Sequence, residues 1–217
     1  MELLWISLVG GVLALDATSV GQFMVSRPLV AGALAGWAVG DPATGILVGA
    51  LLELYLLVSF PTGGSRFPEG ATATVVAVAS ATAASGAGAV ALGVAMGLVW
   101  GQLGGITITA LRRANSRFVT ETDDGKPGHV NAAHTAAMGL DFLRGALVTL
   151  VGAVVGRFAV GLLAAAWPLD VGDSSGLLLV GGAVSAGILL RSLGGFRRRK
   201  LLLALGMALG LVGARFL

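Results

Sequence analysis

Carboxylates set inside apolar sequence are the groups with most chemical potential in this chain. Glu53 interrupts the apolar run from Gly45 to Phe60, Asp16 closes the run from Leu3 to Leu15, and Glu69 stands in the FPEG segment at 67–70. Gln22 and Asp41 lie close to them in sequence. An acid within a membrane-length apolar run costs about 2.5–3.5 kcal/mol unless it faces protein, a partner charge or a polar ligand. Carboxylates accept hydrogen bonds, and Gln both donates and accepts, so this set suits a hydroxyl-rich solute. It suits coupling to a proton or sodium ion equally well. The alternative is an ion pair within the protein, of Glu53 or Glu69 with Arg27 or Arg66. Asp41, in Gly-Asp-Pro, is read as a cap or turn residue.

Other chemistries find little support. The chain has no cysteine, which excludes disulfides, thiolate metal sites and a phosphocysteine intermediate. His129 and His134 are its two histidines, and neither has a second His or Cys at metal-ligand spacing, so no metal site is expected. They occupy a polar stretch while the acids lie in apolar ones, which argues against a Ser-His-Asp arrangement. His134 is read as an interfacial residue rather than a phosphoryl acceptor. The glycines match no phosphate loop, because no Lys-Ser/Thr follows them.

The elements that carry the acids read as membrane helices. Hydrophobic residues make up 56% of the 217 and charged residues 12%, against roughly a quarter charged in soluble domains. The apolar runs are continuous rather than alternating, which favours helices over a barrel. The fold class expected is an all-α polytopic membrane protein of about seven to eight hydrophobic segments, some short or re-entrant, with Gly-rich packing. The N-terminus lacks the positive region of a signal peptide, so the first segment is taken as mature structure.

Leu3–Leu15 and Pro28–Gly40 are both short for a hydrocarbon core of roughly 30 Å. With the polar connection from Asp16 to Arg27 they resemble half-helices or a re-entrant hairpin; one long tilted helix is the alternative. Glycines at 32, 36 and 40, at 45 and 49, and at 93, 97, 101 and 105 recur every four residues, a spacing that lets helix backbones approach closely. A break at Ser85-Gly-Ala-Gly88 predicts helices over Ala71–Ala84 and Val90–Leu111. Arg112 to His134 reads as an aqueous loop, and Arg112, Arg113 and Arg117 put it in the cytoplasm. Three further spans are expected at Leu140–Ala166, Ser175–Leu193 and Leu201–Phe216. Arg197-Arg-Arg-Lys200 then falls on the same side as the loop. The chain divides into an N-terminal membrane region carrying the site motifs (1–111), a cytoplasmic loop (112–138) and a C-terminal membrane region (139–217).

LD at 15–16, RPLVAG at 27–32, GD at 40–41, TGILVGALLEL at 44–54 and FPEG at 67–70 together resemble the IIC subunit of the mannose/sorbose class of the bacterial phosphotransferase system. His134 and Arg144 extend the likeness more weakly. The resemblance implies a sugar-translocating subunit of the bacterial inner membrane, with no cofactor and no catalytic residue of its own. It also implies an IID membrane partner, a trimer of heterodimers, a cytoplasmic IIAB that phosphorylates the sugar, and an elevator-like movement of a core domain. The family's sugar-binding acid falls on Glu53 and the acid after the loop proline on Glu69. Asp16 and Gln22 complete the expected substrate site. Family members commonly run some 40 residues longer, so a further hydrophobic segment is expected after Phe216. An ion-coupled secondary transporter, a degenerate subunit and a non-transporting scaffold remain alternatives on the same residues.

Overall fold

A computed structural model describes residues 1–57, 66–121, 127–166, 171–192, 200–201, 204–206 and 208. Among them the regular structure is helical: α1 (Glu2–Thr18), α2 (Pro28–Val39), α3 (Pro42–Leu56), α4 (Gly70–Ala81), α5 (Ala87–Glu121), α6 (Pro127–Leu163) and α7 (Val171–Ser192). The PTGG segment at 61–64, Arg197 to Arg199 and most of the span expected at 201–216 lie outside the described residues.

Local sequence sets the boundaries. Arg27 is extended and Pro28 opens α2, where its fixed φ is already helical and its missing N–H is no loss. Gly40 ends α2 in the left-handed region at φ 80°. Asp41 then caps α3 by accepting the Thr44 N–H at 3.0 Å, as the Gly-Asp-Pro reading anticipates. Side-chain and backbone hydrogen bonds from Thr44 hold the Asp41 carboxyl below its ordinary range. Its folded pKa is depressed, so the cap contributes fully above pH of about 3.9 and is lost as pH falls below that. Asp41→Ala is expected to cost about 1 kcal/mol in thermal unfolding of the detergent-solubilised protein, while Asp41→Asn retains most of the cap.

The glycine spacing finds its partners. A Cβ added at Gly32 would lie 2.4 Å from the Gly45 carbonyl oxygen, and one at Gly49 would lie 2.5 Å from the Pro28 carbonyl oxygen. Backbone therefore touches backbone along α2 and α3, and the tight hairpin joins these two helices rather than α1 and α2. On the other side of the molecule, Gly93 and Gly97 of α5 press on Ala81 and Ala77 of α4. Helix α4 is the centre: every residue from Ala71 to Ala81 is buried, and α1, α2, α3, α5 and α6 all pack on it.

Two helices, over Gly88–Arg117 and Gly128–Leu163, are long and apolar enough to cross a bilayer. Leu143, Leu147, Val151, Val154, Phe158 and Leu162 of α6 are exposed, while Ala146, Thr149, Ala153 and Val160 face inward and are buried. A stripe of large apolar groups outside and small groups inside suits lipid, which needs no polar face. The segment read as an aqueous loop is mostly helix: α5 continues to Glu121 and α6 begins at Pro127. Within the described residues its backbone hydrogen bonds are made inside the helices, and Arg113, Ser116 and Arg117 are exposed, so polarity did not break the helices. The helix break near Ser85 is present, with α4 ending at Ala81 and Gly86 at φ 97°.

Candidate functional site

The connection from α1 to α2 is held by acids on both flanks. Asp16, near the end of α1, accepts the Phe23 N–H at 2.7 Å and the Ser26 N–H at 2.8 Å. Glu53, in the last turn of α3, pairs with the Arg27 guanidinium and accepts the Leu29 N–H at 3.2 Å. It thereby satisfies a free donor at the N-terminus of α2. Gln22 sits on the exposed outside of this connection, in the left-handed region at φ 53°. Asp16 and Glu53 thus bracket residues 23–29, and Gln22 stands apart from both.

Glu69 belongs to a different centre. Its carboxylate takes two parallel hydrogen bonds from Arg144 of α6, at 2.8 and 2.9 Å, and one from the Thr72 hydroxyl at 2.8 Å. Arg144 also donates to Asp141 at 3.0 Å and to the Thr107 hydroxyl at 3.2 Å. Asp141 in turn accepts the hydroxyls of Thr18 and Ser19 at the end of α1. One guanidinium therefore ties α5, α6, the entry to α4 and, through Asp141, the end of α1. Gly104 makes room for it, since a Cβ there would lie 2.5 Å from Glu69 Oε2.

The two pairs differ in access. Arg144 and Glu69 are 8% and 1% exposed, whereas Arg27 and Glu53 are 26% and 20% exposed. Arg27 and Glu69 line a common cavity of about 70 Å³ with Ser26, Pro28, Leu56 and Phe67. That volume is far below the roughly 300–1,000 Å³ of pockets that enclose a drug-sized ligand. Nothing larger than a few waters fits in the arrangement seen here.

The alternative of intraprotein ion pairs is realised for Glu53 with Arg27, and for Glu69 with Arg144 instead of Arg66. Asp141 and Thr107 were not singled out from sequence, Thr18 and Ser19 only as polar positions of the connection after Asp16, and Arg144 only by its family match. A signal was present: Asp141 and Arg144 are opposite charges three residues apart in an otherwise uncharged stretch from Ala136 to Val155. The sequence-based span begins at Leu140, which left both charges looking like a helix edge.

The family model described as PTS system sorbose-specific IIC component matches residues 1–212. Among curated relatives, the sorbose-specific EIIC component of Lacticaseibacillus casei is 36% identical over 74 residues, 34% of this chain and 25% of the relative. The fructose permease IIC component of Bacillus subtilis is 29% identical over 149 residues, 66% of this chain and 54% of the relative. The mannose-specific EIIC component of Escherichia coli K12 is 26% identical over 166 residues, 75% of this chain and 62% of the relative. The matched region thus spans from a quarter to about three fifths of these relatives. A solved structure described as a membrane protein superposes with a TM-score of 0.76 at 19% identity, covering 99% of this chain and 92% of its own. A cryo-electron-microscopy structure of the mannose transporter ManYZ with a microcin gives 0.62 at 20% identity, covering 100% and 86%. These two share the helical membrane fold. By its match over residues 1–212, the chain belongs to the sorbose-specific IIC component family of the phosphotransferase system.

Proposed function

We propose that this chain is the sugar-translocating IIC subunit of a mannose/sorbose-class phosphotransferase system in the bacterial inner membrane. The observation that carries this reading is the part-exposed Arg27–Glu53 pair, whose arginine lines a cavity together with Glu69, in a chain of this family. Glu53 would accept sugar hydroxyls and Arg27 would donate to them. Asp16 holds the backbone of residues 23–26 in shape beneath the sugar, Gln22 guards the outer edge, and Glu69 forms the floor. The cavity must widen to admit a hexose or amino sugar, and the glycine-locked α2–α3 hairpin is suited to move as one piece. The partners are an IID membrane subunit, in a trimer of heterodimers, and a cytoplasmic IIAB that phosphorylates the delivered sugar. The stretch 112–138 faces that partner between membrane regions 1–111 and 139–217.

The test is phosphoenolpyruvate-dependent uptake of radiolabelled hexoses into vesicles containing this chain and its partner subunits. Glu53→Gln keeps an acceptor for the Leu29 N–H but loses the charge. A hydrogen bond to a charged group contributes about 1.5–3 kcal/mol, so sugar affinity should fall by roughly tenfold to a hundredfold in a protein that still folds. Uptake equal to that of the unaltered chain would remove Glu53 from the site. Free sugar accumulating under an ion gradient, without phosphorylation, would point to secondary transport.

A further inference from the structure

A second polar feature lies away from the acids, where α5 leaves the apolar layer. Arg66, Arg112 and Arg113, with Thr109 and Ser116, line a recess of about 400 Å³. No carboxylate is among the described residues that line it. The Thr109 hydroxyl donates to the Gly105 carbonyl and the Ser116 hydroxyl to that of Arg113, so the Arg66 and Arg113 guanidiniums are the lining groups suited to an incoming anion, with Arg112 adding its charge beside them. A neighbouring recess of about 230 Å³ shares Arg66 and is lined by Phe67, Pro68, Gln102, Gly105 and Ile106.

The two recesses follow one face of α5, because 102, 105, 106, 109, 112, 113 and 116 recur at helical spacing. Toward the membrane the same helix exposes Val99, Leu103 and Ile106. From Ile106 to Arg112 the helix rises about 9 Å, roughly the step from acyl chain to headgroup. The basic end is also built. The Arg112 guanidinium lies 5.7 Å from the centre of the Phe67 ring, a cation–π contact. The segment carrying Arg66 and Phe67 is fastened to α5 by the Glu69 N–H, which donates to the Gly101 carbonyl at 2.9 Å. Close packing adds to this, since a Cβ at Gly105 would lie 2.1 Å from the Phe67 carbonyl oxygen.

We propose that this recess binds the phosphate headgroup of an anionic phospholipid, with an acyl chain along Ile106, Leu103 and Val99. Basic residues at a membrane exit orient a protein whatever their arrangement. Orientation alone does not require guanidiniums from two separate segments to converge on one concave site at the end of an apolar stripe. Guanidinium groups are well matched to phosphate oxygens in charge and in fork geometry.

The experiment is native mass spectrometry of the full chain in detergent, titrated with short-chain phosphatidylglycerol, short-chain phosphatidylcholine or inorganic phosphate. The expected result is about tenfold tighter binding of phosphatidylglycerol than of phosphatidylcholine, lost in Arg66→Gln/Arg113→Gln, as the charge contributions of basic residues near anionic lipid imply. Thr109→Phe fills the recess while keeping all three arginines, and it should weaken binding as well. If the double variant does not fold, Arg113→Gln alone decides, because Arg113 is exposed and its loss leaves packing intact. Equal affinity for the two lipids, or binding unchanged in Thr109→Phe or in Arg113→Gln, overturns the proposal. Displacement of the lipid by inorganic phosphate would assign the site to a free phosphate instead and overturn the lipid assignment.

Discussion

Replacing Arg144 with methionine is expected to destabilise the bundle by about 3–5 kcal/mol, the usual loss when one member of a buried ion pair is removed. Glu69 is fully buried and Asp141 is 1% exposed, so neither carboxylate can turn to water once the guanidinium is gone. Asp141 keeps the hydroxyls of Thr18 and Ser19, whereas Glu69 keeps only that of Thr72 among its side-chain partners. Adding Glu69→Met to Arg144→Met should therefore recover part of the loss, because a buried pair exchanged for apolar groups is often near neutral. Arg144→Lys should behave more like methionine than like arginine, since an ammonium cannot grip Glu69 with two parallel bonds while reaching Asp141 and Thr107. Thermal unfolding in detergent measures all three. A double variant no more stable than Arg144→Met would show that Glu69 is not left stranded.

Gly45→Val should be the most disruptive glycine substitution in the α2–α3 hairpin. A Cβ at Gly45 would stand 2.4 Å from the Gly32 carbonyl oxygen and 2.5 Å from the Gly36 Cα, both main-chain atoms. No side chain can swing aside, so the helices must separate, at a cost of about 1–3 kcal/mol or more for such overpacking. Gly139 in α6 is the matched control, with nothing within 4 Å of its added Cβ. Gly139→Ala should leave stability unchanged or raise it by about 0.5–1 kcal/mol, from helix propensity alone. Equal melting of Gly45→Val and the unaltered protein would show that the hairpin is not closed by backbone contact.

The sequence carried the helical class and the glycine contacts because both depend on period, which is local. Gly32 and Gly36, and Gly45 and Gly49, are each four residues apart, and the two pairs meet as that spacing anticipates. Asp41 was legible for the same reason, since a cap acts within one turn. Pairing between distant segments was not. Nothing in the sequence of α1 or α2 says that α2 folds against α3 while Ser7 of α1 bonds to the Ala146 carbonyl of α6. Glu69 and Arg144 are 75 positions apart, and their match is made by the packing of α6 against α4. The polar stretch after Leu111 misled in the opposite direction. A helix leaving the bilayer changes the character of its side chains without changing its backbone, so hydropathy marks where lipid ends and not where α5 ends.

Helices α2, α3 and α4 have 12, 15 and 12 residues. At about 1.5 Å per residue their lengths are only roughly 18–22 Å, against a hydrocarbon thickness of about 30 Å. Lipid cannot close over that difference at α4, which is enclosed by protein throughout from Ala71 to Ala81. At the middle of the molecule protein packing therefore takes the place of lipid around helices shorter than the hydrocarbon core is thick. Polar groups at the ends of these short helices are therefore met by protein, as Glu69 at the entry to α4 is met by Arg144 and Thr72.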